Sequence, residues 1–297
     1  MKRIVLFLAT NIAVLLVLTI VTRLLGVDRW LTAQGLNYPM LLAFSLVIGF
    51  GGSFFSLAIS KWMAKAAYRI RVIARPQSDV EAWLIGKVRQ QAEKAGIGLP
   101  EVGIYESPEA NAFATGPSRH RALVAVSTGL LQNLRPREVE GVLAHEVSHV
   151  ANGDMVTLTL LQGTLNTFVI FLSRVLGFAL DQFLRRGDDE RHGPGMGYFL
   201  SSLVCQVLLG ILASLIVMAY SRRREFRADA MGAQLEGKEA MIGGLRRLKQ
   251  ITEAGGVIDN RSPALAAFKI NHPTGVMRLL MSHPPLEERI AALERSR

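Results

Sequence analysis

The sequence predicts an α-helical membrane protein that carries an α+β domain outside the bilayer, and three observations predict it. Four apolar runs come in two pairs, about 4–21 with 38–60 and about 155–180 with 196–220. Each is long enough to cross a hydrocarbon core of about 30 Å. Residues 76–154, between the pairs, are mixed in composition and break into helix-like and strand-like stretches. Within that region stands His145-Glu146-Val147-Ser148-His149, two imidazoles at helical spacing around a carboxylate.

Residues 1–75 read as an N-terminal transmembrane hairpin. Ile4 to Val21 is interrupted only by Thr10, Asn11 and Thr19, and Lys2 and Arg3 precede it. The run is too long for the apolar core of a signal peptide, and no small-x-small cleavage site follows before Arg23, so it is an uncleaved anchor. Tyr38 to Ser60 returns the chain. The +10 formal charge is explained by basic residues beside the ends of the runs: Lys2 and Arg3, then Lys61, Lys65, Arg69, Arg71 and Arg75, then Arg222, Arg223 and Arg224. The connection Thr22 to Asn37 has only Arg23 and Arg29, with Asp28 beside them, which places the N-terminus and the domain after Ser60 on the cytoplasmic side. No aromatic-interleaved basic stripe accompanies the charge, which excludes nucleic acid as a partner. Cys205 is the one cysteine and lies in an apolar run, so intramolecular disulfides and thiolate metal sites are excluded.

Residues 76–154 begin the second region. Val80, Trp83, Leu84, Val88 and Ala92 recur at helical spacing from Gln77 to Ala95, an amphipathic helix ended by Gly96 to Pro100. Glu101 to Ser107, Ala110 to Gly116 and Arg121 to Ser127 read as strands of a small sheet. The small residues of Asn111-Ala112-Phe113-Ala114 suit either an edge strand that pairs with an extended peptide or an ordinary strand and turn. Pro136 in a first turn, Glu138 and Glu140 near it, and Asn152-Gly153 at the end bound a helix of about four turns. On it His145 and His149 face the same way about 6 Å apart, within reach of one metal ion at about 2.1 Å. Glu146 then lies beside the metal. A zinc ion there lowers the pKa of a bound water to about 7, and Glu146 is placed to take its proton.

Residues 155–220 read as a second hairpin. Met155 to Leu180 is its weaker member, containing Gln162, Asn166 and Arg174, polar groups that must face protein or a water-filled cavity at membrane depth. Asp181 to Gly195 reads as a flexible loop, and Met196 to Tyr220 as a span with Tyr198 and Tyr220 near its edges. In 221–297, helical phase continues through Glu225 and Asp229, which share a face. Two imidazoles, one carboxylate and an open fourth position make a catalytic zinc arrangement, so Glu225 is the expected third ligand of one ion and Asp229 the group that holds a ligand histidine in its tautomer. An even number of crossings between His149 and Glu225 returns all three ligands to one side, close to the membrane surface. Lys238 to Ala254 reads as a helix, Gly255 to Thr274 as loop, and Leu286 to Leu293 as a short helix after His283-Pro284-Pro285. On composition, His283 reads as a surface or structural histidine.

With these residues in place, the chain resembles the HtpX family of membrane-bound zinc metalloproteases, and more distantly the CAAX prenyl protease. The resemblance rests on Asn111-Ala112-Phe113-Ala114, His145-Glu146-Val147-Ser148-His149, Glu225-Phe226-Arg227-Ala228-Asp229 and Ser282-His283-Pro284-Pro285, together with both apolar pairs. It implies a cytoplasmic α+β zinc-metalloprotease domain on the bacterial inner membrane, acting as an endopeptidase on misfolded or damaged membrane proteins and prone to self-cleavage. It also implies that Asn111 belongs to a substrate-contacting strand and that His283 stabilises the oxyanion. Three rivals have distinct signatures. An intramembrane protease would need a more apolar active-site helix than Arg135, Arg137, Glu138 and Glu140 allow. A zinc-containing membrane scaffold would not need Glu146. A processing protease for one lipidated peptide would normally have more spans.

Overall fold

The computed structural model describes residues 37–184, 196–255 and 283–296. The apolar run 4–21, the connection 22–36, most of the Asp181 to Gly195 loop, Gly255 to Thr274 except Gly255 itself, and Ser282 lie outside the described residues. In chain order the elements are α1 (Tyr38–Tyr68), β1 (Arg71–Val72), α2 (Asp79–Lys94), β2 (Glu101–Tyr105), β3 (Ala112–Thr115), β4 (Leu123–Ser127) and α3 (Thr128–Asn133). They are followed by α4 (Pro136–Asn152), α5 (Asp154–Leu184), α6 (Met196–Glu236), α7 (Lys238–Glu253) and α8 (Leu286–Arg295). These form two compact units, one from the described part of Met1–Phe55 with Thr159–Ile216, the other from Ser56–Leu158 with Val217–Arg297.

The first unit holds the apolar parts of α1, α5 and α6, the three described helices long and apolar enough to cross a membrane. Val47, Phe183 and Phe199 stand about two-thirds exposed on it, as lipid-facing side chains do. Its polar residues turn inward. Gln162 donates to Asn166 at 3.0 Å, Asn166 donates to Ser53 on α1 at 3.4 Å, and the Arg174 guanidinium sits 5.4 Å from the centre of the Phe44 ring. Gly49 backs directly onto Thr167 and Gly177 onto Ser202, the small-residue contacts by which helices approach without a hydrophobic drive from water. The low hydropathy of the third run thus reflects contacts to neighbouring helices.

The second unit is built on a four-stranded mixed sheet in the order β1-β2-β4-β3, with β2 and β4 parallel and the other pairs antiparallel. Alternation along the strands sends the two faces to different partners. Val102, Ala112, Ala114, Val124 and Val126 pack with Val139, Leu143 and Val147 of α4 in the main core. Phe113, Leu123 and Ala125 turn to the other face, where Ala64 and Tyr68 at the end of α1 meet them. Tyr68 lies 5.0 Å from Tyr105 and 5.4 Å from Phe113, ring centre to ring centre.

The helix α4 starts and stops where its sequence dictates. Pro136 occupies the first turn, the Glu138 carboxylate accepts the Arg135 N–H at 2.8 Å, and Gly153 closes the helix in the left-handed conformation at φ 64°. Its Gly141 lies against the Ala240 carbonyl of α7, where a Cβ would collide. Gly232 of α6 similarly lets that helix approach the backbone nitrogen of His145, 3.2 Å from where a Cβ would sit. A polar clamp ties α2, α4 and α6 together: fully buried Gln91 donates to the Glu140 carbonyl at 2.9 Å and to Glu236 at 3.0 Å, and Lys87 bridges both carboxylates.

Candidate metal centre

The described residues place three potential ligands at one point: His145 and His149 from α4 and Glu225 from α6, all buried. The two histidine Nε2 atoms are 3.1 Å apart, and each lies 3.3 Å from a Glu225 oxygen. A tetrahedral ion with ligands at about 2.0–2.1 Å has its ligand atoms about 3.3–3.4 Å apart, close to these separations.

The outer nitrogens explain why the inner ones converge. Nδ1 of His145 is 2.9 Å from Asp229 Oδ1, and Nδ1 of His149 is 2.6 Å from Asp154 Oδ2. A carboxylate can only accept, so each pair assigns the ring proton to Nδ1 and leaves Nε2 as a lone pair. Two lone pairs and a carboxylate then face one another. Glu225 Oε1 is buried with no hydrogen-bond partner among the described residues. Three converging acceptors suit a cation, and with Arg289 3.3 Å from His145 Nε2 and His283 Nδ1 2.7 Å from Glu225 Oε2 as neighbouring donors, the residues present fit a metal ion.

The electrostatics show the pocket's preference for positive charge. Burial and the Arg289 guanidinium both favour neutral His145, but hydrogen bonds to Asp229 and Glu225 and the charge of Asp229 outweigh them and raise its pKa from 6.5 to about 9. Burial opposes a charge on His149 too, yet the Glu225 carboxylate prevails and its pKa is raised. The pocket draws positive charge.

Glu146 opens into a cleft shared with His145, His283, Arg289 and Ala112. His283 reaches the site from just before α8, its Nδ1 2.7 Å from Glu225 Oε2. It therefore touches a potential ligand as well as the cleft. Of the strand residues singled out from sequence, Ala112 lines the cleft and Phe113 does not, since its side chain is buried on the far face of the sheet. The Ser127 N–H donates to the Asn111 carbonyl at 2.9 Å, which makes that couple a hydrogen-bonded pair. With Ala112 opposite Val126 and Ala114 opposite Val124, the antiparallel alternation turns the N–H and C=O of both alanines to the outer edge of β3. Asn111 Oδ1 is buried with no hydrogen-bond partner among the described residues.

Two residues at the site escape the sequence reading. Asp154 follows the left-handed Gly153, which folds the chain back so that its carboxylate meets His149. The stop signal at Asn152-Gly153 marked the turn but not its direction. Arg289 donates from Nε to Asp229 at 2.8 Å and from a terminal nitrogen at 2.6 Å, and it lies 3.6 Å from Glu225. Burial alone would discharge it, but the Asp229 carboxylate raises its pKa above the usual arginine value. Its signal was positional: Arg289 falls on the buried face of α8 with Leu286, Ile290 and Leu293, and a charge on such a face needs a partner.

Comparison with known proteins matches residues 78–297 to the model of peptidase family M48. The "Protease HtpX homolog" of Methylacidiphilum infernorum is 59% identical over 296 residues, covering 99% of this chain and 98% of that protein. That of Chlorobium limicola is 57% identical over 295 residues, covering 99% of each. Among solved structures, S. mikatae Ste24p aligns with 98% of this chain and 67% of its own, at a TM-score of 0.59 and 18% identity, a likeness of fold.

Proposed function

The chain belongs to peptidase family M48, as an HtpX-type membrane metalloprotease, and from that premise we propose that it is a zinc endopeptidase that hydrolyses misfolded or damaged membrane proteins. The observation that carries the reading is the convergence of three acceptors, His145, His149 and Glu225, beside a cleft that also contains Glu146. A zinc ion held by the three would polarise the scissile carbonyl and acidify the attacking water. Glu146 takes the proton of that water and passes it to the leaving amine, since it lies in the cleft while its neighbours His145 and His149 are committed as ligands. Asp229 and Asp154 hold the two rings with Nε2 inward, and Arg289 fixes Asp229. His283 supports Glu225 and, from its place in the cleft, offers its other ring nitrogen to the developing oxyanion. An extended substrate pairs with the outward N–H and C=O groups of Ala112 and Ala114, which orients the scissile bond without reading side chains.

Lack of side-chain readout at that strand suits unfolded substrates, and anchoring beside the lipid bilayer suits membrane proteins. The basic residues flanking the spans support a bacterial inner-membrane location with the N-terminus and protease domain cytoplasmic. Self-cleavage follows from the same lack of readout. The deciding comparison sets detergent-purified, zinc-loaded wild type against Glu146→Gln on an unfolded protein, with bound zinc measured in both. Equal zinc with cleavage by wild type alone is expected. Equal zinc and equal cleavage would remove Glu146 from the mechanism.

A further inference from the structure

We propose that the second unit rests on anionic phospholipid headgroups through its β3–β4 loop, residues 116–122, a contact additional to the membrane-capable helices and independent of the proteolytic reading. Each of α1, α5 and α6 runs without a break between an apolar stretch and that unit, and Lys61, Asp154 and Tyr220 mark the ends of those stretches. A series of contacts joins the three points. Lys61 and Lys65 pair with Glu101 at 2.8 and 2.5 Å. Glu101 follows the α2–β2 connection, whose Gly98 lies against the His120 ring, with Nδ1 3.4 Å from where a Cβ would sit. Arg119 covers Gly153 in the same way, its Nε 3.3 Å from the Cβ position, and Gly153 immediately precedes α5. Asp154 Oδ1 then lies 4.0 Å from Arg227, which donates to the Tyr220 hydroxyl at 3.4 Å. The β3–β4 loop is thus held among the feet of the apolar helices although it is remote from all of them in sequence. The charge bias that flanks spans along the chain does not account for its basic residues.

The chemistry of this rim selects its partner. In the loop His120 and Arg121 are exposed and Arg119 is partly so, and Arg223 and Arg227 are exposed at the foot of α6. The two carboxylates along the path are already answered, Glu101 by its lysines and Asp154 by His149, so the charge left facing outward is positive. Leu99, beside Gly98, and Trp62, beside Lys61, are both exposed as well. An aromatic and an aliphatic side chain among arginines is the composition that lies at headgroup level. Near an anionic surface each arginine favours the docked state about fivefold. Because β3 runs directly from Thr115 into this loop, docking holds the edge strand at the bilayer surface.

The test attaches a bimane label to the loop, through His120→Cys in a Cys205→Ala background, in the full-length protein. Nanodiscs of phosphatidylcholine, alone or mixed with phosphatidylglycerol, carry a lipid whose nitroxide headgroup quenches the label on contact. Quenching should be stronger in the discs with phosphatidylglycerol. There, Arg119→Gln with Arg121→Gln should lower the ratio of docked to undocked loop about 25-fold. Sodium chloride at about 1 M, where the Debye length is about 3 Å, should abolish the difference between the lipids without any substitution. Equal quenching in the two lipids, or a difference that survives either the salt or the double variant, would overturn the proposal. Release by inorganic phosphate but not by chloride at equal ionic strength would show a discrete phosphate site and overturn the bilayer surface as the partner.

Discussion

Replacing Arg289 by methionine, a side chain of similar length without charge, isolates the ion pair beneath the metal centre. Arg289 and Asp229 are each 3% exposed in their side chains, and the guanidinium grips the carboxylate through two short hydrogen bonds of 2.6 and 2.8 Å. Two charged hydrogen bonds contribute about 1.5–3 kcal/mol each, and removing one partner of a buried pair costs about 3–5 kcal/mol because the other charge is stranded. For a domain of about 150–250 residues, where each kcal/mol moves the midpoint by about 2–4 °C, Arg289→Met should lower the melting temperature by about 6–20 °C. The assay is thermal unfolding in detergent after chelation, followed by the fluorescence of Trp83, which packs against the main core. The added change Asp229→Leu should recover part of the loss, since it removes the stranded carboxylate but also takes from His145 the acceptor of its Nδ1–H. A shift for Arg289→Met below about 1 kcal/mol, or a double variant no more stable than the single, would refute the assignment of buried pairing.

Asp154→Asn should weaken zinc binding about 10–100-fold in competition with a chromophoric chelator, because the amide no longer enforces the Nδ1–H form of His149; unchanged affinity would make Asp154 merely structural. His283→Ala should lower turnover about 100-fold with zinc retained, whereas loss of zinc would show that its hydrogen bond to Glu225 is its whole contribution. Gly141→Ala should destabilise by about 1–3 kcal/mol in denaturant unfolding, since its methyl group meets the Ala240 carbonyl; a neutral result would mean that α7 shifts freely. Burial opposes the charge on Glu140, but the hydrogen bonds and charges of Lys87 and Arg137 prevail and lower its pKa below the ordinary 4.5. A depressed carboxylate contributes stability above its unfolded-state pKa and loses it as pH falls through the folded value. Wild type should therefore exceed Glu140→Gln in melting temperature at neutral pH, and the gap should close on acidification below the ordinary carboxylate range; a constant gap would exclude charge as the cause.

The sequence by itself determined whatever depends on periodicity and local chain geometry. The start and stop of α4 were written in Pro136, Glu138 and Gly153, and the four-residue interval brings His145 and His149 together because a helix turns every 3.6 residues. The apolar runs of α1, α5 and α6 were legible for the same reason, since length and composition alone set the capacity to span. Unbroken helical phase from Met196 to Glu236 put Glu225 and Asp229 on one face. Tertiary structure decided what joins residues distant along the chain. That Asp229 serves His145 and Asp154 serves His149, that Arg289 comes from the far end to grip Asp229, and that Phe113 turns away from the cleft all follow from how α4, α6, α8 and β3 pack. No local pattern encodes those pairings, because each is set by contacts between side chains many tens of residues apart or by a turn whose direction only the folded backbone reveals. The buried arginine on an apolar helix face shows the boundary between the two: its position beside Leu286, Ile290 and Leu293 requires a partner, and only the packed structure reveals both the burial and the carboxylate that meets it.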